Sequence, residues 1–302
     1  MSPSSEAEGV KLLAESRTYA TSDGLTLHYV DYNTGPSTGV PVVCLPGLTR
    51  NARDFSALAL HLSESRRVLC LEFRGRGSSQ WDADVSHYQA HQYVADTLLF
   101  LQKENLDRVI IIGTSLGGIV GTGIAEVDPG LLAGIVLNDI GPVIDPAGLK
   151  RIGSDLGRGT EWPSWKEAAA KLKEVNGVVY PTFTDKDWLD YARKTCRETA
   201  EGLVTQDYDP AISQAFASDS AANVELWEVF DALADVPALL LRGALSDLLS
   251  SETAQKMEAR LPKLDLAIIA DRGHVPTLEE AKALSAIRAF VAKVDTLNYP
   301  SI

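Results

Sequence analysis

Among residues able to do covalent chemistry, Ser115 has the most informative surroundings. Gly113-Thr114-Ser115-Leu116-Gly117 follows the aliphatic run Val109-Ile110-Ile111-Ile112 directly and opens a stretch with helical spacing. A serine on a sharp strand-to-helix turn is held out from the sheet in a strained conformation, and small flanking residues let neighbouring backbone pass close by. Its hydroxyl is protonated at neutral pH, so attack on an electrophile needs an adjacent base. The chain has five histidines. His28 lies in an early hairpin, His61 in the first helical stretch, and His87 and His91 near the start of the second. His274, in Asp271-Arg272-Gly273-His274, comes just after the last predicted strand, where a parallel sheet gathers its carboxyl ends. Ser115 and His274 together point to a serine nucleophile activated by a general base. Leu45-Pro46-Gly47-Leu48-Thr49 follows the first inner strand, and by position the backbone amides of Leu48 and Leu116 are the donors for a developing oxyanion.

The elements that must position these residues are readable from periodicity. Tyr19 to Tyr32 alternates around Asp23-Gly24 and reads as a hairpin. Val40 to Leu45, Arg67 to Phe73, Arg108 to Gly113 and Leu132 to Asn138 are short runs rich in Val, Ile and Leu, as strands covered on both faces must be. Asn51 to Ser63, Gln89 to Glu104 and Leu116 to Val127 carry helical spacing between them, which makes a βαβ series. The rhythm stops at Gly141-Pro142. Residues 141–230 contain helical pieces, such as Trp165 to Asn176 and Trp188 to Gly202, but no convincing strand. Strand and helix then alternate again, through Ala238 to Arg242, Ser251 to Leu261, Leu264 to Ala270 and Pro276 to Val294. A helical unit is thus expected inside an α/β domain formed by 1–140 and 231–302, with the first fifteen or so residues a loose tail.

Composition limits the function classes. A net charge of -13 opposes binding to nucleic acid or an anionic membrane. The N-terminal run has no apolar h-region, and the apolar runs fall far short of the roughly 20 residues that span a bilayer. The expectation is a cytoplasmic monomer or homodimer acting on a small molecule. Cys44, Cys70 and Cys196 lack metal-ligand spacing and read as structural thiols. Arg74-Gly75-Arg76-Gly77-Ser78-Ser79 lacks the Lys-Ser/Thr ending of a P-loop and the spacing of a dinucleotide site, and reads as a turn.

From about residue 19 to 294 these motifs resemble the α/β-hydrolase superfamily, in Leu45-Pro46-Gly47-Leu48, Phe73-Arg74-Gly75-Arg76-Gly77-Ser78, Gly113 to Gly118, Gly243 to Asp247 and Gly273-His274. The resemblance implies an eight-stranded, mostly parallel sheet flanked by helices, with a helical cap between strands six and seven. It implies a triad in the chain order Ser, acid, His, working through an acyl-enzyme without metal or organic cofactor. Asp247, after the strand Leu239 to Arg242, is the first choice for the acid. Asp139, in Asn138-Asp139-Ile140-Gly141 at the end of the preceding strand, is the alternative, and Asp271 reads as part of a turn. One departure is Pro46-Gly47, where many members have His-Gly; the glycine is kept. A serine nucleophile argues against epoxide hydrolases and haloalkane dehalogenases, which use aspartate there. The expected activity is hydrolysis of a carboxylic ester or lactone of a small, largely apolar substrate. A carbon-carbon bond hydrolase of the meta-cleavage type and a catalytically silent ligand-binding fold are the alternatives. In the cap, Trp162, Trp165 and Trp188 are candidate substrate contacts, or else they pack the cap itself.

Overall fold

The computed structural model describes residues 14–33, 37–219 and 225–298. Most of the tail expected at the N-terminus therefore lies outside the described residues. In chain order the elements begin with β1 (Glu15–Ala20), β2 (Thr26–Tyr32), β3 (Val42–Leu45), α1 (Ser56–Leu62), β4 (Val68–Leu71), α2 (Ala90–Lys103), β5 (Val109–Thr114), α3 (Leu116–Val127) and β6 (Leu132–Asn138). The segment that follows contains α4 (Pro146–Asp155), β7 (Glu161–Trp162), α5 (Trp165–Asn176), α6 (Asp185–Thr195), β8 (Cys196–Glu198), β9 (Val204–Gln206), α7 (Ile212–Asp219) and α8 (Trp227–Asp231). The chain then returns to the sheet with β10 (Ala238–Gly243), α9 (Ser251–Arg260), β11 (Leu264–Ile269) and α10 (Ala281–Asn298).

The main sheet has eight strands in the order β1-β2-β4-β3-β5-β6-β10-β11. The β1–β2 hairpin and the β2–β4 pairing are antiparallel, and every other pairing is parallel. Successive strand residues point to opposite faces, so an all-apolar strand feeds two cores. Val43, Leu45, Leu69, Leu71 and Ile111 enter one cluster with Tyr93 and Phe100 of α2, Val120 and Ile124 of α3 and Met257 of α9. Val42, Cys44, Val68, Cys70, Ile110 and Ile112 enter the other with Leu58 of α1 and Ile287, Phe290 and Val294 of α10. This two-sided burial explains why the strands read as continuous hydrophobic runs. Among the described residues, no helix is long and apolar enough to cross a membrane.

The segment between β6 and β10 differs from expectation in two ways. It contains a small antiparallel sheet of order β7-β9-β8, whose strands of two or three residues are too short to show alternation in sequence. The helix expected from Trp188 to Gly202 starts earlier and stops sooner, as α6. Thr184 caps it through a reciprocal box with Asp187, and Cys196 leaves the helix with extended backbone to enter β8. Ala168, Leu172, Trp188 and Val204 form a separate cluster within this segment. In contrast α8, which straddles the expected boundary at 230, buries Phe230 in the core of the main sheet.

Candidate active site

Ser115 stands between β5 and α3 with φ 51° and ψ -115°, a left-handed conformation that a non-glycine residue adopts only where its surroundings enforce it. The enforcement is visible at Gly117. A Cβ there would fall 2.1 Å from the carbonyl oxygen of Leu45, so only glycine lets the first turn of α3 press against the end of β3. The turn is closed by Gly118 N–H donating to the Ser115 carbonyl at 2.8 Å.

His274 follows β11 and is largely enclosed. Its Nε2 is 3.0 Å from Ser115 Oγ, and its Nδ1 is 2.8 Å from Asp139 Oδ2. Asp139 directly follows β6 and is fully buried. It takes two further hydrogen bonds, from the Gly243 amide at 2.8 Å and from Ser246 Oγ at 2.6 Å, so three donors fix its carboxylate. The histidine loop can lie this close to β10 because Gly243 has no side chain: a Cβ would meet the Gly273 carbonyl oxygen at 2.4 Å. The inserted segment grips the same loop, with Gly273 N–H donating to Val179 O at 2.8 Å and Tyr180 O–H donating to Val275 O at 2.9 Å.

The expected acid, Asp247, is not the partner of His274. Ser246 Oγ accepts from the amides of Leu248 and Leu249, at 3.3 and 3.0 Å, while it donates to Asp139. Asp247 instead makes a bidentate ion pair with Arg151 of α4, at 2.6 Å to Nε and 2.8 Å to Nη2. Burial works to raise the Asp247 carboxyl, but the hydrogen bonds and charge of Arg151 outweigh it and hold the group below the ordinary carboxylate value. The acid beside His274 is the former alternative, Asp139. It lies at the end of the strand next to β5, one strand closer to Ser115 than β10 is.

The model of the alpha/beta hydrolase family matches residues 42–287. The chain belongs to the alpha/beta hydrolase family. It is 32% identical to the 3-hydroxybutyrate-oligomer hydrolase of Cupriavidus necator, over 87% of this chain and 93% of that protein. The crystal structure of an alpha/beta hydrolase from Novosphingobium aromaticivorans superposes with a TM-score of 0.89 at 42% identity, covering 93% of this chain and 99% of that one. A putative hydrolase from Rickettsia typhi gives 0.83 at 27% identity, covering 93% and 99%.

In this hydrolase the two amides expected at an oxyanion are both unspent. Leu48 follows β3, Leu116 is the first residue of α3, and neither N–H meets an acceptor among the described residues. The Leu48 loop is braced by Arg76, a residue that the sequence reading left in a plain turn. Its Nε donates to Leu48 O at 2.8 Å and its Nη1 to Arg74 O at 2.7 Å, and the buried guanidinium lies 4.8 Å over the Tyr93 ring. No local sequence pattern announces this role, because Leu48 and Tyr93 are distant from Arg76 in the chain.

A cavity of about 380 Å³ opens over Ser115 and His274. The hydrolase lines it with Tyr180, Phe183, Tyr191 and Tyr208, not with the tryptophans chosen from sequence. Trp188 is buried behind that lining, with its ring centroid 5.2 Å from Phe183 and 5.6 Å from Tyr191. Trp162 and Trp165 pack on the same cluster of the inserted segment, and Trp165 is further held by Glu198 and Arg193. Their size suits them to filling that cluster. Nor is the lining largely apolar: Arg50, Arg151, Lys194 and Arg272 share it with Asp54, Asp155, Asp187 and Asp190.

Proposed function

We propose that this hydrolase is a serine esterase that cleaves short hydroxy-acid esters through an acyl-enzyme, with 141–230 acting as the cap over its pocket. The single observation that carries the reading is the unbroken line Ser115 Oγ, His274 Nε2, His274 Nδ1 and Asp139 Oδ2 beneath a cavity. Ser115 Oγ attacks the ester carbonyl carbon while its proton passes to His274 Nε2, and Asp139 holds the tautomer and orientation in which Nε2 is free to accept. The tetrahedral oxygen carries its charge between the amides of Leu48 and Leu116, where each donor is worth about 100- to 1000-fold in turnover. Collapse breaks the ester C–O bond, and Nε2 returns the proton to the departing alcohol. Water repeats the sequence in the second half, releasing the acid and restoring Ser115.

The substrate class is supported by the similarity to the 3-hydroxybutyrate-oligomer hydrolase and by Arg151 in the lining, whose Nη1 has no partner among the described residues and suits an acid bearing an ester more than a plain hydrocarbon ester. Turnover of p-nitrophenyl butyrate and of linear 3-hydroxybutyrate dimer, together with fluorophosphonate labelling mapped to Ser115 by peptide mass spectrometry, tests the reading. Absence of both turnover and labelling defeats it.

A further inference from the structure

Four cationic side chains line the cavity, and their hydrogen bonds differ. Arg50 has every guanidinium nitrogen engaged, with Nε and Nη2 on Asp54 and Nη1 on Thr195. Lys194 is paired with Glu279. Arg272 lies over the Phe183 ring, with Nε on Glu280, Nη1 on Thr182 and the Asp271 carbonyl, and Nη2 without a partner among the described residues. Arg151 is arranged differently. Asp247 takes Nε and Nη2 from one side, which fixes the plane of the fork, and Nη1 has no partner among the described residues. Asp155, one turn further along α4, is turned to Gln206 at 3.5 Å and Arg158 at 3.9 Å. Arg151 lines the same cavity as Ser115 and His274. A guanidinium gripped on one edge and open on the other is preorganised to receive a second carboxylate.

We propose that Arg151 is the receptor for a free carboxylate carried by the substrate, and that Asp247, which stands where the triad acid was expected, serves to aim it. The proposal rests on the esterase reading and narrows it: the preferred ester carries an ionised acid on the part of the molecule that reaches α4. A substrate bound this way places its ester in the site by a charge-assisted contact, so selectivity resides in one side chain of the inserted segment and not in the triad.

The test compares release of 3-hydroxybutyrate from the linear dimer as the free acid and from the same dimer capped as its N-methylamide. The natural enzyme is expected to prefer the free acid. Arg151→Gln should lower the ratio of kcat/KM for acid over amide about 10- to 100-fold, the range for losing a hydrogen bond to a charged group, chiefly through KM. Arg151→Lys should restore part of that ratio. Asp247→Asn, which weakens the grip on the guanidinium but leaves its charge, should lower the ratio by less than Arg151→Gln does. The ratio is the deciding readout, because a pair that merely tethers α4 to β10 would change turnover of the acid and of the amide alike in both variants. That result overturns the proposal, as does a natural enzyme indifferent to the amide cap, or a selective loss in Arg272→Gln in place of Arg151→Gln. Turnover of p-nitrophenyl butyrate in the same preparations separates the two levels: if it too is absent, the esterase reading has failed, whereas its presence without acid selectivity removes the carboxylate receptor alone.

Discussion

The order of atoms from serine through imidazole to carboxylate occurs twice in this chain. Ser16 Oγ is 2.7 Å from His28 Nε2, and His28 Nδ1 is 2.9 Å from Glu72 Oε2, which repeats the connectivity of Ser115, His274 and Asp139. Ser16 lies in a regular antiparallel ladder opposite Val30, at no helix N-terminus and outside the cavity over Ser115. It has the base but not the strained turn. Ser115→Ala should therefore reduce p-nitrophenyl butyrate turnover by at least about 10⁴-fold, whereas Ser16→Ala stays within about twofold. The acid separates in the same way. Asp139→Asn keeps the shape but takes away the charge that fixes the tautomer, and its kcat should fall by about 10⁴-fold. Asp247→Asn should change kcat on the neutral ester by less than about tenfold, as measured by steady-state kinetics across pH. Ser115 and His274 could be read from sequence because one sits in a motif and the other is the sole histidine after a late strand. Asp139 could not be ranked first, because the turn that Ser246 builds depends on hydrogen bonds to Leu248 and Leu249 that no motif encodes.

At the scale of elements, the parallel strands were readable because burial on both faces demands unbroken Val, Ile and Leu. Helix α3 runs from Leu116 to Val127, the limits its periodicity sets. The inserted segment was less readable, since strands of two or three residues carry no period and a tryptophan packs a small cluster as readily as it lines a pocket. The element most exacting in sequence is the junction of β5 and α3. Gly117→Ala must push the helix from the Leu45 carbonyl, so it should cost about 1–3 kcal/mol of stability in chemical denaturation. It should also lower turnover, because the Leu116 amide moves with the helix.

Across the whole molecule, acid sensitivity should begin at a cluster remote from the site. Arg74 is fully buried and paired with Asp23, Asp82 and Asp96, which ties the β1–β2 turn to the loop after β4 and to α2. Hydrogen bonding to Arg74 pulls the Asp23 carboxyl down to about 2. A carboxyl held below its unfolded value stabilises the fold above that value, near pH 4, and the contribution is lost as pH falls toward 2. Asp23→Asn should flatten the decline of stability with pH across that window, followed by thermal melting at fixed ionic strength. The distribution of thiols offers a different handle. Cys44 and Cys70 face each other across β3 and β4, inside the core of the main sheet, while Cys196 is buried in the cluster of the inserted segment, where burial pushes its thiol up to about 12. All three are free, so alkylation must wait for the structure around each to open. The chain thus carries two internal clocks: if the inserted segment lifts while the sheet stays intact, Cys196 is alkylated first and the strand pair only on global unfolding, and the ratio of the two rates measures how independently that segment breathes.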